Sequence, residues 1–452
     1  MAASLERLGT IPFCLVTDGI RTWDDFLADV GAARGLGGSN DALCSLVQGR
    51  YHFTVSLMAA MLDDVPILMP PSQAQKAFTA VLDGWDKPGS LAPDWQPDGG
   101  AVAADPAEFA QTPGEVHVFT SGSTGRPAAH VKSWTSLAGG ARLTSDLIDR
   151  AALTREETII AGTTPHQHMY GLEAAIFAGL AHGWCLYDQT VFYPEDLQSL
   201  CARAANAGLS AVVLVTSPAH LRYLAPAIAE NPMIRCVLSS TAPLSRGLAA
   251  QVERDGCPLF EIYGSTETGS LAWRQTTVGD IWEPMDTFQL IETPRGWSAV
   301  APHLSGTMPL GDLLERVGTG FRLTGRQSDM VQIAGKRQSL SALNAALQSM
   351  PGIQDGIVLR RIVDSEDKLA VAIVPLDKER DAPDHLHRAA RRHMLRHLDP
   401  VFVPRRMHFI EALPRNETGK IMSADLQRIA DEIFTGSDGT AEPSAAASSG
   451  GG

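Results

Sequence analysis

No stretch of the chain is apolar over the roughly 18–20 residues that a membrane-crossing helix needs. Its opening, MAASLERLGTIPFCLV, has no basic segment ahead of a long apolar one, so no signal peptide and a cytoplasmic protein are expected. Cysteine is sparse: six in 452 residues (Cys14, Cys44, Cys185, Cys201, Cys236, Cys257), none in a CxxC pair. That spacing excludes a disulfide frame or a zinc site and leaves reduced, mostly buried thiols. Positive charge is in deficit, at a net −14, which argues against general nucleic-acid binding. There is no GK[ST] at Walker spacing, no GxSxG nucleophile turn, no metal motif and no repeat of fixed period.

What is present is the make-up of a globular protein with room for two or three domains, 44% hydrophobic and 19% charged. Helix and strand patterns alternate. Residues 194–208 have an acidic first turn and end on Asn206 and Gly208, which predicts a helix. LSAVVLVTS, from 209, is a β-branched run and predicts a buried strand. PAHLRYLAPAIAE then reads as a helix, MIRCVLSS as a strand, Ser245 as the cap of a helix reaching Val252, and LFEIYG as a further strand. Such alternation predicts an α/β fold with a largely parallel sheet covered by helices, whose ligands bind at the carboxyl ends of strands. From about 312–330 to 433 a smaller α+β unit is expected, with strands GIVLRRIV and LAVAIVPL and a basic helix around 386–397. The last residues, GSDGTAEPSAAASSGGG, are too small and polar to bury a core.

Four segments could carry chemistry. Thr120-Ser121-Gly122-Ser123-Thr124-Gly125-Arg126-Pro127 follows the apolar VHVF. Its glycines let backbone N–H groups turn into one concavity among hydroxyls, which is a way to cradle a polyphosphate. Tyr263-Gly264-Ser265-Thr266-Glu267-Thr268 follows a strand, and a carboxylate there can hold Mg²⁺ on phosphate oxygens. Gly311-Asp312-Leu313 and Thr324-Gly325-Arg326-Gln327-Ser328-Asp329 offer an Asp for both ribose hydroxyls and an Arg for phosphate or ribose. Leu413-Pro414-Arg415-Asn416-Glu417-Thr418-Gly419-Lys420 puts a point charge on a glycine-containing loop, able to reach a reacting phosphate. Singly, each has a plainer reading: a polar turn, a loop acid, a surface ion pair, a solvated lysine. Their order and spacing weigh more than any one of them.

Together the segments resemble the adenylate-forming superfamily of acyl-CoA synthetases, aryl-CoA ligases, peptide-synthetase adenylation domains and luciferases. Ser240-Thr241-Ala242-Pro243-Leu244 stands at the place of that family's GGAPL turn, and Pro165-His166-Gln167-His168-Met169-Tyr170-Gly171 at the place of its PLFHxxG segment. The resemblance covers roughly residues 40–430. Phe119 to Lys132, His166 to Leu172 and Gly335 to Leu340 look most like the short bacterial ligases of aryl-polyene and xanthomonadin-type pigment clusters. Two positions depart from the family pattern. The usual phosphate-loop Lys directly follows the Pro, but here Ala128 stands there and Lys132 comes later. Ser328 occupies the usual hinge acid of the GRxDD motif, with Asp329 next.

The resemblance implies a large N-terminal domain of parallel-rich sheets covered by helices, residues 1–325. A small mobile α+β domain, 326–433, carries the catalytic Lys420, and 434–452 form a disordered tail. It implies ATP-dependent activation of a small carboxylic acid as its acyl-AMP, with pyrophosphate released, then transfer to the thiol of CoA or of a phosphopantetheinyl acyl carrier protein. Thr120, Ser121, Gly122, Ser123, Thr124 and Gly125 would hold the β- and γ-phosphates, with Lys132 either replacing the missing loop lysine or leaving that contact unmade. Glu267 would hold Mg²⁺ and Thr266 would contact the α-phosphate. Ser240, Thr241, Ala242 and Pro243 with Tyr263 would flank adenine, with Gly264 and Ser265 in the same nucleotide site. Asp312 would bind ribose, and Arg326 would sit at the ribose and the interdomain joint. Lys420 would stabilise charge between the substrate carboxylate and the α-phosphate. For the second half-reaction the small domain would rotate about residues 326–329. His168 would line the thiol channel, although a satisfied His166–His168 pair packed under its loop carries nearly equal weight.

The basic run Arg388 to His397, with Arg405 and Arg406 behind it, suits an acidic carrier protein or the phosphates of CoA; a solvated helix face is the plainer reading. The pigment-cluster resemblance favours an aromatic acid such as a hydroxybenzoate. The alternatives are adenylation of a fatty acid for carrier loading, and a catalytically decayed nucleotide or acyl binder. A homodimer is a further expectation.

Overall fold

The computed structural model describes residues 9–71, 75–99, 102–120, 127–294, 296–326, 329–363, 366–376, 383–415, 421 and 423–435. The chain divides into two compact units, one running to Leu323 and the other from Thr324 to Arg415 and again from Ile421. No helix among the described residues is long and apolar enough to cross a membrane.

The large unit opens with a hairpin, β1 (Pro12–Val16) and β2 (Gly19–Thr22). Next come β3 (Ala42–Ser45), β4 (Ile67–Met69), β5 (Pro88–Leu91), β6 (Glu115–Thr120) and β7 (Ala128–Ser133), which form one sheet in the order β5-β3-β4-β6-β7. Its first four strands run parallel, and β7 folds back antiparallel on β6. The chain then lays down β8 (Thr158–Gly162), β9 (Cys185–Thr190), β10 (Ala211–Thr216), β11 (Ile234–Ser239) and β12 (Leu259–Ser265), followed by β13 (Gly269–Arg274) and β14 (Glu283–Pro284). These join the first hairpin in a second sheet, ordered β14-β13-β12-β11-β10-β8-β9-β1-β2. The run from β12 to β1 is parallel, with antiparallel strands only at the two edges.

The sequence dictates this layering. In β10 every residue is buried, because Val213 and Val215 enter one core and Val212 and Leu214 the other. A strand covered on both faces needs a continuous apolar run, not an alternating one. One face is closed by helices Pro194–Asn206, Pro218–Glu230 and Arg246–Val252, each presenting apolar residues three or four apart. Ser245 caps the last of these, accepting the Leu248 N–H at 3.3 Å. The other face packs on helix Trp134–Ile148 and on Leu172–Phe177, which is wound as a π-helix. All six cysteines are buried free thiols.

The unit closes with the sheet of β15 (Gln289–Thr293), β16 (Gly296–Val300) and β17 (Met308–Pro309), and with the pair β18 (Asp312–Val317) and β19 (Gly320–Arg326), whose end enters the second unit. The small unit is α+β. It holds a hairpin of β20 (Met330–Ile333) and β21 (Lys336–Ser339), and a sheet of β22 (Ile353–Val363), β23 (Glu366–Pro375) and β24 (Arg406–Phe409). Apolar clusters cover both faces of β22–β23. The basic helix spans Pro383–His397, with Leu386, Ala390 and Met394 buried and Arg388, Arg391, Arg392 and Arg396 exposed.

One buried charge ties the loops of the large unit together. Arg50 begins the helix Arg50–Leu62 and is 1% exposed. Its guanidinium donates to the carbonyls of Gly162 (2.9 Å), Thr164 (3.3 Å), Tyr187 (3.2 Å) and Gln189. Burial lowers its pKa to about 10, against the pull of Asp188. Asp188 itself accepts the Tyr51 N–H at 2.9 Å. Replacing Arg50 with Met strands these carbonyls, each at roughly 1–3 kcal/mol if left unpaired. Arg50→Met should lower the free energy of unfolding by about 3 kcal/mol or more. Urea denaturation measures this, and an unchanged midpoint would show that the guanidinium is dispensable.

Candidate active site

The carboxyl ends of β6, β8, β10, β11 and β12 carry most of the residues singled out in the sequence. Thr120 ends β6 and is half-buried; its hydroxyl lies 3.1 Å from His130 Nε2. His130 stands on β7, and its Nδ1 lies 3.8 Å from the Glu267 carboxylate. One imidazole therefore bridges the start of the Ser/Thr/Gly loop and the acidic turn after β12. Ser121, Gly122, Ser123, Thr124 and Gly125 lie outside the described residues, as do Arg126, Gln327, Ser328 and Lys420 and the side chain of Arg326.

The turn that carries Glu267 is tied internally. Thr268 Oγ1 accepts the Ser265 N–H at 3.1 Å, and Ser265 Oγ accepts the Thr268 N–H at 3.2 Å. Thr266 and the Glu267 side chain are left partly exposed, the latter at 47%. Burial pushes the Glu267 carboxyl up, but hydrogen bonds from Ser265 and its own backbone N–H, with the charges of His130 and Lys132, outweigh this. The net result is a pKa below the usual carboxylate range, so Glu267 is ionised at neutral pH. An ionised oxygen donor among hydroxyls at a strand end suits a hard cation such as Mg²⁺.

Lys132 is 4% exposed, and its ammonium donates to the Glu267 carbonyl at 2.7 Å. Burial lowers its pKa, against the carboxylates of Glu173 and Glu267. Glu173 lies on the π-helix, 2% exposed, and accepts the Ser270 N–H at 2.8 Å. Burial raises its pKa, while the Ser270 bonds and Lys132 act in the opposite sense.

A second group of residues is held beyond β11 and β12. Tyr263 donates to Asp312 at 2.7 Å, which joins the end of β12 to the start of β18. The Tyr263 ring lies against Trp282 and Phe321, at 5.7 and 5.9 Å between centroids. Ser240 donates to the Ile262 carbonyl at 2.8 Å, which fixes the Ser240–Pro243 turn against β12. Thr241 holds φ at +79°, where the corresponding position of the GGAPL turn carries glycine. A β-branched residue there stores roughly 1–3 kcal/mol of strain. Buried Glu261 keeps the turn in place, accepting the Leu244 N–H at 2.8 Å while pairing with Arg274 at 2.7 Å.

The two histidines of the PHQHMYG segment differ. His166 is buried against Phe53, with Nε2 3.0 Å from the Val47 carbonyl, which is the satisfied packing role weighed for it. His168 is half-buried at the start of the turn Met169–Gly171. Sequence reasoning missed His130, Glu173 and Glu261. It also missed a cluster at the ends of β8 and β10, where Thr163 and Ser217 hydroxyls each lie 3.0 Å from His220 Nδ1.

Burial, followed by the Arg50 charge, lowers the His166 pKa from 6.5 to about 3. Between those values the unfolded chain binds a proton that the native protein refuses, so stability is present above pH 6.5 and is lost on acidification. The slope for one such group is about 1.4 kcal/mol per pH unit. His166→Asn should therefore lose stability less steeply than the wild type between about pH 6.5 and pH 4 in denaturant titrations. Parallel curves would show that His166 titrates alike in both states.

Comparison with known proteins agrees with this geometry. Residues 72–293 match the family model for AMP-binding enzymes. A 4-coumarate–CoA ligase from Halorhodospira halophila is 28% identical over 67% of this chain and 73% of its own. An indoleacetate–CoA ligase from Aromatoleum aromaticum is 25% identical over 78% of this chain and 74% of its own. Among solved structures, O-succinylbenzoate coenzyme A synthetase (MenE) from Bacillus subtilis, in complex with ATP and magnesium ion, superposes with a TM-score of 0.73. At 15% identity, that alignment covers 94% of this chain and 98% of the other. The ordered motifs and these likenesses agree: residues 72–293 match an AMP-binding enzyme domain, and the chain is similar to relatives named as acid–CoA ligases, which form AMP.

Proposed function

We propose that the protein activates an aromatic carboxylic acid with ATP and Mg²⁺ and passes the acyl group to the thiol of CoA. The observation that supports this reading is the Thr120–His130–Glu267 chain, which sets the end of β6, where the Ser/Thr/Gly segment begins, beside an ionised, half-exposed carboxylate. The choice of an aromatic acid is supported by relatives named for 4-coumarate and indoleacetate, and that of CoA by the same names.

The reaction has two displacements. A carboxylate oxygen of the acid attacks the α-phosphorus in line, forming the acyl–phosphate bond as the bond to pyrophosphate breaks. The thiolate sulfur then attacks the acyl carbon, and AMP leaves with the bonding pair. Neither step needs a covalent enzyme intermediate, so the protein acts by positioning and charge stabilisation. Thr120 and the Ser121–Gly125 loop grip the β- and γ-phosphates through hydroxyls and backbone N–H groups. Glu267 would hold Mg²⁺, which would supply positive charge to the phosphate oxygens. Thr266 contacts the α-phosphate. The Ser240–Pro243 turn and the Tyr263 ring enclose adenine, and Asp312, already oriented by the Tyr263 hydroxyl, takes the ribose hydroxyls. Arg326 assists at the ribose, Lys420 stabilises charge between the carboxylate and the α-phosphate, and His168 lines the path of the thiol.

The test is pyrophosphate release with ATP and Mg²⁺ across a panel of aromatic and aliphatic acids, with CoA, with a phosphopantetheinyl carrier protein, and with neither. Release that depends on one aromatic acid and rises with CoA is the expected result. A rise with the carrier protein alone would turn attention to the exposed arginines of the helix Pro383–His397, and no release with ATP still bound would indicate a decayed binder. Lys420→Ala should slow adenylation on the order of 10²–10³-fold, the scale of one lost stabilising group. Unchanged acyl-AMP formation by that variant would remove Lys420 from the mechanism.

A further inference from the structure

We infer that Lys132 and Glu173 form a buried, oppositely charged clamp that positions the Glu267 turn from behind, so that Lys132 is a positioning residue and not a phosphate ligand. Glu267 sits in the short connection between β12 and β13, and one side chain grasps that connection while the other grasps the start of β13. The Lys132 ammonium holds the Glu267 carbonyl at 2.7 Å, and the Glu173 carboxylate holds the Ser270 N–H at 2.8 Å. Neither residue is near the turn in sequence; one comes from β7 and the other from the π-helix Leu172–Phe177. π-helical turns are frequent at functional sites.

The carboxylate has a built slot. A Cβ on Gly140 would lie 2.4 Å from Glu173 Oε2, and one on Gly269 only 2.1 Å from it, so a side chain at either position would have to displace the carboxylate. Gly269 also has φ of +67°, which lets the chain turn sharply into β13. Lys132 is 4% exposed and Glu173 2%, so each has its backbone hydrogen bond in place of water, and each favours the charged form of the other through space. An ammonium committed at 2.7 Å to a carbonyl behind the turn is turned toward the protein. The sequence offered Lys132 as a replacement for the lysine missing at Ala128; the clamp gives it a different task, holding steady the carboxylate that the cation needs.

This inference rests on the ligase reading only for the role of Glu267. The test combines Lys132→Met, Lys132→Arg, Glu173→Gln and the Lys132→Met/Glu173→Gln double variant. ATP affinity is measured by calorimetry with excess Mg²⁺ and again in EDTA, and thermal melting is followed without nucleotide. Lys132→Met and Glu173→Gln should each weaken ATP binding in Mg²⁺ roughly tenfold, the scale of one lost hydrogen bond to a charged group, and in EDTA by less than about twofold. Lys132→Arg should restore most of the loss. The double variant should melt no lower than the worse single one, because removing both buried charges leaves neither unpaired. Equal weakening with and without Mg²⁺ in Lys132→Met, with Glu173→Gln binding as wild type, would make Lys132 a phosphate ligand and overturn the clamp. Additive melting losses would also overturn it. Wild-type protein that binds no ATP would defeat the ligase reading, and the melting cycle alone would then decide whether the pair exists.

Discussion

The large unit depends on a single guanidinium. A parallel sheet leaves backbone carbonyls at the carboxyl ends of its strands, where the chain turns into loops and the ladder stops. In this protein Arg50 collects the carbonyls of Gly162, the last residue of β8, of Thr164 just beyond it, and of Tyr187 and Gln189 in β9. It can do so because five donors radiate from one plane and the helix that carries it points its first residue into that space. The PHQHMYG segment begins right after these carbonyls, so the same interaction sets where His166 packs and where His168 emerges. Function at this end of the sheet is built on loops, and Arg50 makes those loops behave as part of the core.

The acidic turn uses the opposite arrangement. Its outer side, with the Thr266 and Glu267 side chains, is left partly open, and its backbone is fastened from within. The adenine-side turn is treated likewise: Glu261 grips Leu244 from beneath while Thr241 is held in a strained backbone state. Buried charges are costly unless they are hydrogen-bonded, and here each one is bonded to the backbone of a site loop. The polar residues hidden in this core lie where loops must be rigid.

Local signals in the sequence sufficed for the elements. Apolar β-branched runs marked β10, β11 and β12 because a strand buried on both faces tolerates little else, and Ser245 marked its helix because a cap acts within three residues. The motifs were picked out by their spacing; Thr120 ends β6, Tyr263 lies near the end of β12, Glu267 in the turn after it, and Asp312 at the start of β18. His130, Glu173, Glu261 and Arg50 were not legible. Each works through a partner that the fold, not the sequence, brings near: Arg50 and Gly162 are 112 residues apart, Lys132 and Glu267 are 135, and Glu173 and Ser270 are 97. A lone charged residue in an apolar context gives no sign of which distant carbonyl or amide it will meet. His130 was passed over for a simpler reason, since it lies in the stretch read only for its absent lysine.

The hairpin of β6 and β7 has an evolutionary corollary. Thr120 pairs with Ala128, and the pleat turns His130 and Lys132 to one side while Ala129 and Val131 face outward. Slipping the pairing by one position would swing both basic residues to the wrong face together. What descendants of this protein must keep at this point is therefore the pairing of β6 with β7, position for position, because the register and not any one side chain decides which face both basic residues share.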